Sequence, residues 1–244
     1  MCRRQVRTWA ISEYRRGVET PAATADLLRD EAGDCLVVDC RDPALHEALA
    51  DLYFRNENGR HVRRFPPGSV TDEIVVRFRA ALPLLLRQTA RLAPAPWEAA
   101  LRETVHRLDR EHLDWWLTGS AALAVRGLAV APRDLDLVVS DADAPRLAAA
   151  FVDATIEPPV AVEDWFCRWW GRAWLGARVE WVGGVGEAAD RPEATDFGPV
   201  AAGALELVEW DGRTIRVPPL ELQRRVSSRR GLHDRVRMID DVAG

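Results

Sequence analysis

The sequence predicts an α+β protein: a small mixed β-sheet flanked by helices, preceded by a mostly helical amino-terminal region. Three observations carry this expectation. Apolar residues recur at helical spacing over 72–92, and short apolar runs separated by turn residues fill the second half. Between them Leu92-Ala93-Pro94-Ala95-Pro96 reads as a proline-marked linker, dividing the chain into residues 1–95 and 96–244.

Thr20-Pro21 and Asp42-Pro43 each place a capping residue before a proline at the first helical position, so helices are expected over 21–31 and 43–55. Cys35-Leu36-Val37-Val38-Asp39 between them is a short strand. The helix over 72–92 is expected to kink before Pro83. Arg60, Arg63 and Arg64 are the densest basic cluster here and are expected on a solvated loop. After the linker, a helix over 97–113 leads into an apolar strand at 115–118, and Asp143-Ala144-Pro145 opens a helix reaching about 152. Strands are expected at 160–162, 166–174 and 178–182, the last two forming a hairpin around Leu175-Gly176. Residues 205–210 and 213–217 flank Asp211-Gly212, a strong hairpin signal. Helices over 219–229 and 232–242 follow.

Composition narrows the class. The chain has 244 residues, 48% hydrophobic and 29% charged, which suits a soluble globular protein of one large or two small domains. No run of 18 apolar residues occurs, and Met1-Cys2-Arg3-Arg4 is not followed by a signal-peptide core, so a cytoplasmic protein without membrane contact is expected. Cys2, Cys35, Cys40 and Cys167 lack Cys-x-x-Cys spacing and read as reduced thiols. All 33 basic residues are arginine, which removes lysine from every catalytic role. The net charge of −5 indicates no bulk nucleic-acid-binding surface. The first 95 residues carry 15 arginines against 13 acids, and the rest 18 against 25. That acidic excess would attract a cationic partner.

The most informative residues lie between Trp115 and Val139. An apolar strand runs into Gly119-Ser120, where a short helix starts, and fourteen residues after Ser120 a second apolar strand opens with Asp134-Leu135-Asp136. Alternation along a strand puts Asp134 and Asp136 on one face and Leu135, Leu137 and Val139 on the other. Aspartate is disfavoured in apolar strands, and two anions side by side imply a cation between them. An all-oxygen set suits magnesium, bound through one or two carboxylates plus substrate phosphates. Gly119 allows close backbone approach, and the helix start with the Ser120 hydroxyl is a natural phosphate site. Together they imply a metal-bound nucleoside triphosphate. No P-loop pattern occurs.

At Leu117, Gly119, Ser120, Asp134 and Asp136 the chain resembles the polymerase-beta-type nucleotidyltransferase superfamily, over roughly residues 98–244. The resemblance implies the nucleotidyltransferase fold and a third carboxylate on a later strand. Glu180, in Ala177-Arg178-Val179-Glu180-Trp181, is its best match, with Glu163 and Asp164 as fallbacks. It further implies that Asp134 and Asp136 hold two magnesium ions, that Glu180 completes the metal ligands or takes the acceptor proton, that the triphosphate rests on Gly119 and Ser120, and that a nucleotidyl group passes to a hydroxyl. By resemblance to aminoglycoside and lincosamide nucleotidyltransferases, the expected acceptor is a small hydroxylated molecule. Two other readings stay open: a toxin–antitoxin-type enzyme acting on tRNA or a protein, and a catalytically degenerate binding module.

Two clusters have open roles. Trp165, Trp169, Trp170, Trp174 and Trp181 either stack a base or fill a hairpin core, core being favoured. The arginines of 220–234 either reach the triphosphate or form a solvated face. The amino-terminal region is expected to pack on the second half and shape the acceptor pocket.

Overall fold

The computed structural model of the protein describes residues 22–31, 33–161 and 165–243. Thr20, Pro21, Glu163 and Asp164 lie outside the described residues. In the amino-terminal part, β1 (Ala23–Asp30), β2 (Gly33–Cys40), α1 (His46–Asp51), β3 (Arg55–Glu57), β4 (Arg60–Phe65) and α2 (Asp72–Thr89) follow in order. The four strands form an antiparallel sheet in the order β1-β2-β4-β3. A mostly helical region is therefore not what forms. The segment expected as a helix over 21–31 is β1, because Ala23 and Ala25 are buried while Thr24 and Asp26 are exposed, a period of two. Its partner β2 buries its first six residues.

The proline at Pro43 does start a helical turn, capped by the Asp42 carboxylate accepting from Ala44 N–H at 3.0 Å, but the helix stops at Asp51. The chain then turns through Tyr53, with φ at 63°, into the β3–β4 hairpin around Asn58-Gly59. Helix α2 starts at its Thr71 cap and continues through Pro83. Arg60, Arg63 and Arg64 sit on β4, not on a solvated loop.

Beyond the linker come α3 (Trp97–Glu111), β5 (Trp115–Thr118), α4 (Gly119–Ala124), β6 (Asp134–Val139), α5 (Ala144–Ala150), β7 (Thr155–Ala161), β8 (Cys167–Trp174) and β9 (Arg178–Val185). They are followed by α6 (Pro199–Ala202), the hairpin β10 (Glu206–Trp210) and β11 (Arg213–Val217), α7 (Leu220–Arg229) and α8 (His233–Ala243). The central sheet has five strands in the order β5-β6-β9-β8-β7. Only the β6–β9 pair is parallel, so the sheet is mixed, as expected for this α+β chain. Among the described residues no helix is long and apolar enough to cross a membrane.

Two cores lie on the two faces of this sheet. On one face Leu135, Leu137, Val139, Val179 and Trp181 pack with Leu101, Val105 and Leu108 of α3, Ala121 of α4, Leu147 of α5 and Ile215 of β11. On the other, Ile156 and Trp170 join Leu36, Val38, Phe78, Leu82 and Leu86 of the amino-terminal part. The amino-terminal region thus covers one face of the sheet, and α2 lies against β7. Trp170 and Trp181 are core residues, one in each layer.

Candidate active site

The strand register assembles the site. Thr118 pairs with Asp136, Asp136 with Glu180, Glu180 with Arg172, and Arg172 with Glu157, so one polar row crosses all five strands. One step along, Asp134 pairs with Arg178. Since cross-strand partners share a face at about 4.5–5.5 Å between Cβ atoms in an antiparallel pair, β-sheet geometry alone brings distant residues together. The row lies on the face of Trp170 and Val182, turned toward the amino-terminal region. Asp134, Asp136 and Glu180 line a single cavity of about 400 Å³ together with Gly119 and Ser120.

Gly119 is the hinge between β5 and α4. Its φ of 64° favours glycine, and a Cβ there would collide with the Asp136 carboxylate. The turn is tied on both sides. Gln223 of α7 donates to the Gly119 carbonyl at 3.1 Å, and the nearby Gly119 backbone favours the ionised form of Asp196. The Thr118 hydroxyl adds a bond to the Asp196 carbonyl at 2.9 Å.

Asp196 is a fourth cavity carboxylate that sequence reasoning missed. It comes from the segment before α6, shaped by Asp190, whose carboxylate accepts from Thr195 N–H at 2.7 Å and Val200 N–H at 2.8 Å. No periodicity or motif marks that segment.

The electrostatics separate the carboxylates. Burial pushes the Asp136 carboxyl up to about 7, and the nearby Glu180 and Asp196 add to the push. Burial also works to raise Glu180, but Arg172 and Arg178 outweigh it and hold that carboxyl at about 2. Burial likewise raises Asp196. Arg178 is ion-paired with Asp134, and Arg172 Nε donates to Glu180 Oε2 at 2.5 Å.

Whether a divalent cation fits can be judged from this donor set. Among the described residues no three His, Cys, Asp or Glu side chains form a ready metal cage. Magnesium seldom uses one, taking one or two carboxylates with waters and phosphates. Asp136, crowded by Glu180 and Asp196 and in no close ion pair among the described residues, suits such an ion, with Glu180 in register beside it.

The acidic excess of residues 96–244 is not what the cavity presents. Arg91, Arg133, Arg178, Arg230 and Arg235 line it, and Arg91, Arg230 and Arg235 pair with no carboxylate among the described residues. Burial lowers the Arg235 pKa, and repulsion from Arg230 lowers it further. The sequence-based argument for a cationic acceptor therefore loses its basis at the site itself. The aromatic lining comes from Tyr53, Phe166 and Phe197.

No protein-family model matches the chain, and no curated protein sequence matches it. Solved structures do. A putative nucleotidyltransferase from Thermotoga maritima matches at 21% identity and a TM-score of 0.45, over 59% of this chain and 90% of its own. The ANT(2'')-Ia structure in complex with adenylyl-2''-tobramycin matches at 14% and 0.40, over 59% and 88%. An antigenic nucleotidyltransferase-like protein from Paracoccidioides brasiliensis matches at 18% and 0.38, over 60% and 75%. At these distances the functional reading rests on the site residues themselves.

Proposed function

We propose that the protein is a divalent-ion-dependent nucleotidyltransferase that moves a nucleotidyl group from a nucleoside triphosphate to the hydroxyl of a small acceptor. The carrying observation is the register that sets Asp136 beside Glu180, with Asp134 on the same face and Gly119 against Asp136. The acceptor oxygen bonds to the α-phosphorus as the bond to the β-phosphate oxygen breaks, pyrophosphate leaves, and the acceptor proton passes to a base. Bound magnesium supplies charge neutralisation and a lower pKa for the acceptor hydroxyl. Asp134, Asp136 and Glu180 would hold it, with two ions as the family-like arrangement. Arg172 keeps Glu180 ionised and so makes it a weak base, which supports the ligand role for Glu180 over proton acceptance.

Arg230 and Arg235, from the carboxy-terminal helix pair, are the proposed triphosphate ligands, since they line the cavity and form no close ion pair among the described residues. Arg235→Gln is expected to weaken triphosphate binding about tenfold, the loss of one charge-assisted contact worth roughly 1.5 kcal/mol. Equilibrium binding measures it, and unchanged affinity would return these arginines to a solvated face. The cavity volume falls within the roughly 300–1,000 Å³ of small-ligand pockets, which supports a small acceptor.

One observation favours a second reading, a degenerate binding module: arginines hold two of the three proposed ligands. Incubation with labelled ATP, GTP, CTP or UTP and cell extract separates the readings. Label in small molecules supports the proposal, label in tRNA or protein moves the acceptor class, and no label in any fraction supports the degenerate module.

A further inference from the structure

The polar row does not end at the site. We propose that the amino-terminal region completes the site by positioning Glu180, through a buried chain running from Arg63 and the Leu52 carbonyl to Glu157, Arg172 and Glu180. This rests on the reading of Glu180 as a site carboxylate.

Arg172 and Glu157 are fully buried, at 0% side-chain exposure each, at the junction of the sheet with the amino-terminal part. Arg172 Nε donates to Glu180 Oε2 at 2.5 Å, and its Nη1 donates to Glu157 Oε1 and to the Leu52 carbonyl, both at 3.0 Å. From the other side Arg63 of β4 pairs with Glu157 Oε2 at 3.0 Å and also donates to the Leu52 carbonyl. Both guanidinium groups lie close to the Trp170 ring, at 4.3 and 4.6 Å from its centroid. Among the described residues the hydrogen-bond and ring partners of the Arg172 guanidinium, apart from Glu180 itself, therefore come from β7, β8 or the amino-terminal region. Arg172 engages Oε2 of Glu180, leaving Oε1 outside that bond.

Stability alone does not explain such a cluster. Buried ion pairs are often no more stable than apolar side chains of the same volume, whereas breaking one is costly. The charges balance only as a set, two arginines against Glu157 and Glu180. Removing the Glu157 charge leaves two buried cations on Glu180 alone, which weakens the hold of that carboxylate on any cation in the cavity. Glu157 does not line the cavity, so its influence travels through Arg172.

The test uses the full chain and calorimetric binding of ATP (or whichever of the four triphosphates binds the wild type) as a function of magnesium, with thermal midpoints recorded beside it. Glu157→Gln keeps the shape and one acceptor for Arg172. It is expected to raise the magnesium needed for half-maximal binding about tenfold, the lower end of what losing an outer-shell partner costs a metal site. Affinity measured at saturating magnesium should return to the wild-type value. Arg63→Lys keeps the charge but loses the shared bonds; it serves if Glu157→Gln does not fold, with a shift of the same direction. A variant that loses thermal stability yet keeps the wild-type magnesium dependence would overturn the proposal and leave the junction purely structural. Metal-independent binding by the wild type would instead remove the nucleotidyltransferase reading, a distinct outcome.

Discussion

Asp136→Asn is expected to stabilise the metal-free protein while abolishing metal-dependent triphosphate binding. The folded chain holds this carboxyl at about 7, against an ordinary value of 3.8. For an acid raised on folding, its favourable contribution is complete below the unfolded value and is lost as the pH rises through the folded one. Above pH 7 the protein therefore bears the whole cost of a crowded, ionised Asp136. At about 1.36 kcal/mol per pKa unit, and allowing for its partial exposure, that cost is about 2–4 kcal/mol. Asparagine removes it. At pH 8 the thermal midpoint should rise by at least about 4 °C for a chain of this length, and near pH 4 the difference should vanish. Scanning calorimetry at both values, without metal, measures the effect. The same titration makes metal binding by the wild type strengthen as pH climbs through about 7, because the cation takes the ionised form. An equal shift at both pH values would show that Asp136 is not the strained carboxylate described above.

Glu180→Gln should silence the same chemistry with the opposite effect on stability. Its folded pKa of about 2 lies below the ordinary 4.5, so it contributes stability above the unfolded value that is lost only as pH falls through about 2. Neutralising it leaves the fully buried Arg172 with Glu157 as its only carboxylate. Breaking a buried pair in this way costs about 3 kcal/mol or more, a fall of at least about 6 °C near neutral pH. Transfer should drop by about 100-fold or more, as expected for a residue at the metal. Thermal midpoints and transfer rates of the two variants, measured together, separate the roles. A Glu180→Gln protein as stable as the wild type would mean that the Arg172 bond is not what holds this carboxylate down.

Much of the site was legible because it is carried by local rules. The Gly119-Ser120 turn needs glycine for its φ and for its contact with Asp136, and alternation along β6 assigns Asp134 and Asp136 to one face. Glu180 followed from the resemblance and falls in register with Asp136. What was not legible depends on partners distant in sequence. Arg172 reads as one residue of an aromatic strand until β7 and β9 set Glu157 and Glu180 on either side of it. Asp196 sits in a segment whose shape comes from Asp190 side-chain bonds, which leave no periodic trace. In the amino-terminal part the Thr20-Pro21 pair suggested a helix, yet the alternation in Ala23–Asp30 and its pairing with the apolar β2 made a strand. Arg63 reaches its place only through the Asn58-Gly59 turn, which pairs β3 with β4. Net charge misled for a related reason: the acidic excess lies outside a cavity that gathers five arginines.

The central claim is a triphosphate site that works through a cation held by the paired strand carboxylates. Calorimetric titration of the full chain with ATP, GTP, CTP and UTP, each with and without magnesium, tests it most directly. At least one triphosphate should bind with magnesium and not without it, and Asp136→Asn should abolish that binding. Binding that proceeds equally well without magnesium, or that survives Asp136→Asn, would contradict the claim.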